Sequence, residues 1–226
     1  MYAKQALLPY RIRWAIRAIP SPLVIVVGAN DGKTGDAVYP LLKSGRCSHA
    51  LLIEPVPYLY KRLVRTSARF RGCECINIAV GPERGIVPIY FIDPAAGNVV
   101  PGLPPYYEEL GSFDRDRVAN TLPPDHRTYI REHSATTMPL RDVLAERGIT
   151  RVDLLQIDTE GFDYEVLKTF PFETSPPKIV VFEHCHLSSS DRQAAKQLLQ
   201  GFDYRIEPWG KDYVCVQRVI CRRQSR

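Results

Sequence analysis

No apolar run in this chain approaches the roughly 20 residues that span a bilayer, so a transmembrane helix is not expected. The first residues carry Lys4, Arg11, Arg13 and Arg17 but no apolar stretch with a small-residue cleavage site, so a secretory leader is not expected either. The six cysteines, Cys47, Cys73, Cys75, Cys185, Cys215 and Cys221, show neither metal-ligand spacing nor a dense disulfide framework. Reduced thiols in a cytoplasmic protein follow as the expectation. Acids are missing from both ends: residues 1–20 hold four basic side chains and residues 217–226 hold Arg218, Arg222, Arg223 and Arg226. The chain as a whole has a net charge of +5, so what lies between the ends is net acidic. Basic ends suit peripheral contact with an anionic membrane. No aromatic residues interleave with the C-terminal arginines, and no nucleic-acid-binding motif is present, so nucleic acid is not an expected partner. There is no internal repeat and no low-complexity tract.

What is present is an ordinary globular composition, 45% hydrophobic and 24% charged over 226 residues, enough for one domain with its own core. Residues 8–19 have helical spacing, with Leu8, Ile12, Ala15, Ile16 and Ile19 on one stripe and Arg13 and Arg17 opposite. Residues 1–22 are therefore set apart as an N-terminal amphipathic helix, packed on the domain edge or lying on a membrane surface. The main domain, 23–226, opens with Leu23-Val-Ile-Val-Val-Gly-Ala-Asn-Asp-Gly32. A β-branched run ending in glycine reads as a strand buried on both faces. Glycine lets the backbone turn tightly there and approach a ligand. A helical pattern follows from Gly35 to Lys43, with Pro40 expected to kink or shorten it.

Alternating units continue along the chain. Strands are expected near 50–54, 75–80, 152–158 and 178–183, with helices near 57–69, 164–169 and 191–200. Two strands near 203–208 and 213–217 have no helix between them and read as an antiparallel hairpin. Strands alternating with helices argue for a doubly wound, mostly parallel α/β sheet. Residues 93–127 hold six prolines and three glycines without strong periodicity, which is expected of a functional lid or irregular insertion. The segments 86–92 and 135–138 on either side look extended.

In such sheets ligands bind beyond the carboxyl ends of the strands. Those ends carry Gly28-Ala29-Asn30, Glu54-Pro55, Asn77 with Ala79, Asp158-Thr-Glu160-Gly161, and Glu183-His-Cys-His186. An acid closing the second strand can accept hydrogen bonds from the vicinal hydroxyls of a ribose, and Glu54 fits that role. A dinucleotide cofactor calls for G-x-G-x-x-G around its pyrophosphate. Asn30 stands where the second glycine belongs, which disfavours an NAD-dependent oxidoreductase without removing it.

Gly28-Ala-Asn-Asp-Gly32, Ile53-Glu-Pro55, Asn77-Ile-Ala-Val-Gly81 and, most specifically, Val152-Asp-Leu-Leu-Gln-Ile-Asp-Thr-Glu-Gly161 running on to Glu165-Val-Leu167 resemble the motifs of the FkbM family of S-adenosylmethionine-dependent methyltransferases. The resemblance covers roughly residues 23–185. It implies a Rossmann-like seven-stranded sheet and S-adenosyl-L-methionine as cofactor. It also implies O-methylation of a hydroxyl on a sugar, glycolipid or natural-product acceptor. Gly28, Ala29, Asn30, Gly32, Glu54, Pro55, Asn77, Ala79 and Asp158 are the cofactor-binding residues it points to. The family usually has an acid two residues before the first motif glycine, and here that position is Val26. Asp31 and Asp158 are candidates to replace it, and a catalytically impaired cofactor-binding scaffold stays open as an alternative.

Asp158 and Glu160 are two apart, so an extended strand exit would point both the same way. A neighbouring fifth strand would bring Glu183 to them. Clustered carboxylates raise one another's pKa and can supply a general base, and Asp158, Glu160, Glu183 and His184 are the catalytic candidates. His186 is the next candidate base. Hard carboxylate oxygens, with a histidine, also suit a divalent metal. The residues leave the oligomeric state open.

Overall fold

The structure, a computed structural model, describes Ile16 and residues 19–33, 38–104 and 106–218. The expected amphipathic helix, the start of the first expected helix at Gly35 and the arginines after Arg218 lie outside the described residues.

A seven-stranded sheet forms the frame. Its strands are β1 (Leu23–Val27), β2 (His49–Ile53), β3 (Cys73–Ile76), β8 (Leu154–Ile157), β9 (Ile179–Glu183), β10 (Tyr204–Trp209) and β11 (Asp212–Gln217), in the spatial order β10-β11-β9-β8-β1-β2-β3. Neighbours are parallel except β11, which is antiparallel to both β9 and β10. The continuous apolar runs are explained by burial on both faces. Ile25, Val27, Leu51, Ile53, Leu155 and Phe182 pack under α4 (Leu140–Glu146), α5 (Asp163–Lys168) and α6 (Ser189–Gly201). The alternate residues Val24, Val26, Leu52 and Leu154 pack on the other face with Leu42 of α1 (Tyr39–Lys43) and Leu63 of α2 (Pro57–Ser67). From β1 the chain first builds β2 and β3 on one side, then β8 and β9 on the other. The order reverses at β1–β8, the place where such sheets open a ligand crevice. No helix of the described residues is long and apolar enough to cross a membrane.

Of the two outcomes expected of Pro40, the helix is short and not kinked: α1 begins at Tyr39, with Pro40 in its first turn, where its missing N–H has no intrahelical partner to lose. Two expectations change. The strand expected over 75–80 is two strands. Its ladder stops at Ile76, where the Asn77 side-chain amide donates to the carbonyls of Glu54 (2.7 Å) and Pro55 (3.0 Å) and turns the chain out of the sheet. The continuation, β4 (Ala79–Val80), joins a second sheet with β7 (Ile130–Met138), β5 (Gly85–Ile92) and β6 (Gly111–Ser112). Residues 93–127 are also more ordered than their composition suggests. They contain β6, α3 (Arg115–Ala119) and 3-10 turns at Pro94–Asn98, Tyr107–Glu109 and from Pro124 onward. Ala96, Val100, Val118 and Leu122 give them a small core with Ile92 of β5.

Candidate active site

A cleft enclosing about 900 Å³, its open mouth included, lies at the carboxyl ends of β1, β2 and β8. Its walls are Val27–Asn30, Ile53–Val56 with Leu59, Ile78–Val80, and Gln156 with Asp158–Glu160. The segment 93–127 closes it with Glu109, Gly111, Ser112 and Phe113.

One end is organised by Glu54. Gly28 and Ala29 both donate their N–H groups to the carbonyl of Ile53, at 3.0 and 2.9 Å, which stitches the β1 exit to β2. Asn30 then adopts a left-handed backbone, φ 51°. Asparagine tolerates that region better than most residues, so it serves here in place of glycine. The turn aims the Asn30 N–H at Glu54 Oε2 (2.8 Å), while the Val56 N–H reaches Oε1 (2.8 Å). Glu54 is only 4% exposed. Burial pushes its carboxyl up to about 7, against the pull of the two backbone donors.

Gly28 has a structural reason beyond ligand approach. At φ +79° a Cβ would lie 1.8 Å from the carbonyl oxygen of Asp158, so the residue must be glycine for β1 and β8 to exit side by side. Gly32 is outside the cleft wall: a Cβ there would lie 2.6 Å from Leu63 Cδ1, so the glycine lets the turn settle on α2. Asn77 is also outside the wall and acts through the carbonyls of Glu54 and Pro55. Ala29, Pro55, Ala79 and Asp158 line it.

The other end is acidic. The pairing of Ile157 with Phe182 places Asp158 and Glu183 at adjacent strand exits. One carboxylate oxygen each from Asp158, Glu160 and Glu183 come within 4.8 Å of one another. The exit after β8 is not extended as expected. Glu160 is left-handed at φ 55° and Gly161 follows at φ 102°, so a turn, not strand alternation, swings Glu160 back. Non-glycine residues in that region are strained, and strain of this kind gathers at functional sites. Asp163 fixes the turn: its carboxylate accepts from the Thr159 hydroxyl (3.0 Å), the Gly161 N–H (3.3 Å) and the Glu183 N–H (3.1 Å).

Burial and crowding make Asp158 and Glu183 hold their protons more tightly than ordinary carboxylates. Asp158 is raised well above the ordinary aspartate range by its enclosed position, then by Glu183, Asp163 and Glu160. Its surface is open to the cleft, so filling water or ligand moderates the first of these causes. Glu183 is pushed up to about 8, by burial first and by Glu160 and Asp163 next. The protein also supplies two cations and a histidine, whose pKa burial lowers. Arg117 of α3 donates to Glu160 (2.5 Å), His186 Nε2 lies 3.5 Å from Glu160 and 3.7 Å from Glu183, and Lys211 Nζ lies 3.9 Å from Glu183. Arg117 and Lys211 offset part of the cluster's charge, and its oxygens are also close enough together to hold a metal ion.

His184 is not part of it. Its ring stacks on Tyr213 at 4.0 Å between centroids, outside the cleft wall, and burial with nearby Arg192 lowers its pKa. His186, two residues on, is the histidine that meets the carboxylates. Sequence reasoning also missed Gln156, Glu109, Phe113, Arg117 and Asp163. Gln156 had a legible signal: it is the one polar residue inside the apolar strand β8. Val26, where an acid was expected, is fully buried and pairs in register with Gln156. Asp31 is outside the cleft wall, so Gln156 and Asp158 are the polar groups the cleft offers near that position.

Residues 27–206 match the model of the methyltransferase FkbM domain. A methyltransferase FkbM from Methylobacillus flagellatus KT has a similar structure, with 14% identity and a TM-score of 0.56 over 95% of this chain and 46% of that one. The chain thus spans a little under half the length of that protein. The fibrillarin pre-rRNA processing protein of Methanococcus jannaschii is similar over 87% of this chain and 66% of that one, with 11% identity and a TM-score of 0.45. No curated protein matches the sequence.

Proposed function

The chain belongs to the FkbM methyltransferase family, and from that premise we propose that it is an S-adenosylmethionine-dependent O-methyltransferase acting on a hydroxyl of a sugar, glycolipid or other natural-product acceptor. The observation that carries the reading is the pairing of two unlike ends in one cleft: a backbone-held carboxylate at Glu54, and at the other end Asp158 and Glu160 backed by Glu183.

The residues fit the cofactor. Glu54 has both oxygens anchored by backbone N–H groups and lone pairs left over for two adjacent ribose hydroxyls. Val56, Leu59 and Ile78 give apolar wall for an adenine ring, and Gln156 with Asp158 offers polar partners to an amino-acid end. When bound, the cofactor supplies an electrophilic methyl group on a sulfonium centre.

The chain's own residues do the rest. An acceptor alcohol must shed its proton as its oxygen becomes the nucleophile. Asp158 faces the cleft, and a carboxyl pKa raised above the ordinary range makes it, once ionised, a stronger general base than an ordinary aspartate. Arg117 and Lys211 offset charge around it. Residues 93–127 act as an acceptor-side lid: Phe113 packs on Phe162 at 4.7 Å between ring centroids, and Arg117 is tied to Glu160. Holding the hydroxyl in line while excluding water supplies much of the rate.

Calorimetric titration with S-adenosylmethionine and with NAD, followed by labelled methyl transfer to fractionated glycan and small-molecule extracts, tests the reading. Binding of the sulfonium cofactor and label in an alkali-stable ether are expected. Binding of NAD in its place would restore the oxidoreductase, and cofactor binding without transfer to any acceptor would favour a scaffold.

A further inference from the structure

The two faces of the main sheet are charged differently. Residues 37–73, which build α1, β2 and α2, contain seven lysines and arginines and one acid, Glu54, which is buried in the cleft. On α2 and just beyond it Lys61, Arg62, Arg65, Arg69 and Arg71 are all exposed. Arg62 is bound to Glu108. Among the described residues Lys43, Lys61, Arg65, Arg69 and Arg71 make no salt bridge. Lys61 and Arg65 are four apart on one helix, a spacing at which like charges repel and weaken the helix. The opposite face differs: there Arg84 pairs with Asp142 and Glu146, and Lys168 with Glu165.

Two further features belong to the basic face. Val64 is 41% exposed in the middle of the cations. Ile16 packs with Leu42 and Leu63, and Arg46 donates to the carbonyls of Ile16 and Ile19. Ile16, the first described residue, therefore lies on this face.

We propose that the α1–α2 face is a peripheral docking surface for a bilayer carrying anionic headgroups. The unpaired cations complement a negative surface, and an apolar side chain among them suits the headgroup boundary. Nucleic acid fits less well, because the rings on this face are already engaged. Tyr39 meets Phe70 edge-on at 5.9 Å, Arg69 covers Phe70, and the Tyr60 hydroxyl donates to the Cys75 carbonyl. No ring among them is left to stack a base. The surface adjoins the cleft through Tyr58 and Arg62, both bound to Glu108, so a docked protein would open its acceptor side beside the bilayer. The docking itself does not depend on which reaction the cleft performs.

The test is sedimentation of the full chain with phosphatidylcholine vesicles, with or without about 30% phosphatidylserine, at about 0.05 and 0.5 M salt. Binding only to the anionic vesicles, lost at high salt, is expected. At roughly 1 kcal/mol per basic residue near the surface, the variant K61E/R65E/R71E should partition about a hundredfold less, with unchanged melting. A control with the same total charge change elsewhere, R141E/K168E/R205E, should stay within a few-fold of wild type. Equal binding to neutral vesicles, absence of binding, equal losses in both variants, or tighter binding to RNA or DNA than to vesicles would overturn the proposal.

Discussion

Replacing Glu54 with glutamine probes the proposed ribose site with the least change in shape. The wild-type carboxylate offers an acceptor to both the Asn30 and Val56 N–H groups at 2.8 Å while only 4% exposed. An amide has one acceptor oxygen, so one backbone donor faces an NH₂ group and loses its partner. That costs about 1–3 kcal/mol of stability and loosens the Asn30 turn. Toward the cofactor, each charge-assisted hydrogen bond lost is worth about 1.5–3 kcal/mol, so Glu54→Gln should weaken S-adenosylmethionine binding at least about tenfold. The wild type carries its own control. With the carboxyl near 7, its ionised fraction climbs from about one-tenth at pH 6 to about nine-tenths at pH 8. Hydroxyl donors favour the ionised form, so wild-type affinity should rise several-fold over that interval and the variant's should stay flat. Calorimetry at three pH values, with a thermal melt to confirm folding, reads both effects. A folded Glu54→Gln protein that binds as tightly as wild type at pH 8, or a wild type whose affinity ignores pH, would refute the assignment.

Asp158→Asn should lower methyl transfer by about 10²–10⁴-fold while changing cofactor affinity only a few-fold, read from initial rates beside calorimetry. Glu183→Gln should flatten the dependence of stability on pH. Its folded pKa of about 8 exceeds the ordinary 4.5, so it stabilises the fold fully at low pH and that contribution, at most about 5 kcal/mol, is lost as pH climbs toward 8. Denaturant titrations across that interval, wild type against variant, measure the difference. Chelation should leave the transfer rate unchanged, since Arg117 and Lys211 already stand beside the acidic cluster; inactivation reversed by magnesium would show that Asp158, Glu160 and Glu183 hold an ion. Limited proteolysis within residues 93–127 should slow when cofactor and acceptor are both present.

The frame of the fold was legible because burial on both faces writes itself as uninterrupted apolar runs. Val24 to Val27, Leu51 to Ile53 and Ile179 to Phe182 say parallel sheet whatever surrounds them. The end of each run marks the crevice, which is how Glu54 and Asp158 were found. The acceptor side was not legible for two reasons. Residues 93–127 are built from elements two to six residues long, too short for any period to appear, and Arg117 reaches Glu160 across 43 positions. Glu160 itself was placed near Asp158 for the wrong reason, since alternation along a strand was assumed where a left-handed turn stands. His184 and His186 cannot be told apart by spacing; the stacking of one on Tyr213 depends on β11 lying beside β9.

Glu54 and Glu183 show how one residue type is given two characters by the backbone around it. Both close a parallel strand of the sheet, and both are about 95% buried. Glu54 sits where the Asn30 turn and the entry to α2 each present an N–H, and those donors hold its pKa to about 7 despite burial. Glu183 has no such pair. Cys185 Sγ donates to its Oε1 (3.2 Å), its Oε2 has no hydrogen-bond partner, and like charges press on it, so its pKa reaches about 8. At neutral pH, then, hydroxyl donors arriving at Glu54 tip it to the ionised acceptor, while Glu183 keeps its proton. The cleft therefore accepts hydrogen bonds at the β2 end, while Glu183 holds a proton beside Asp158 and Glu160 at its other end. Groups whose environments set them apart in this way mark the roles in an acid–base site.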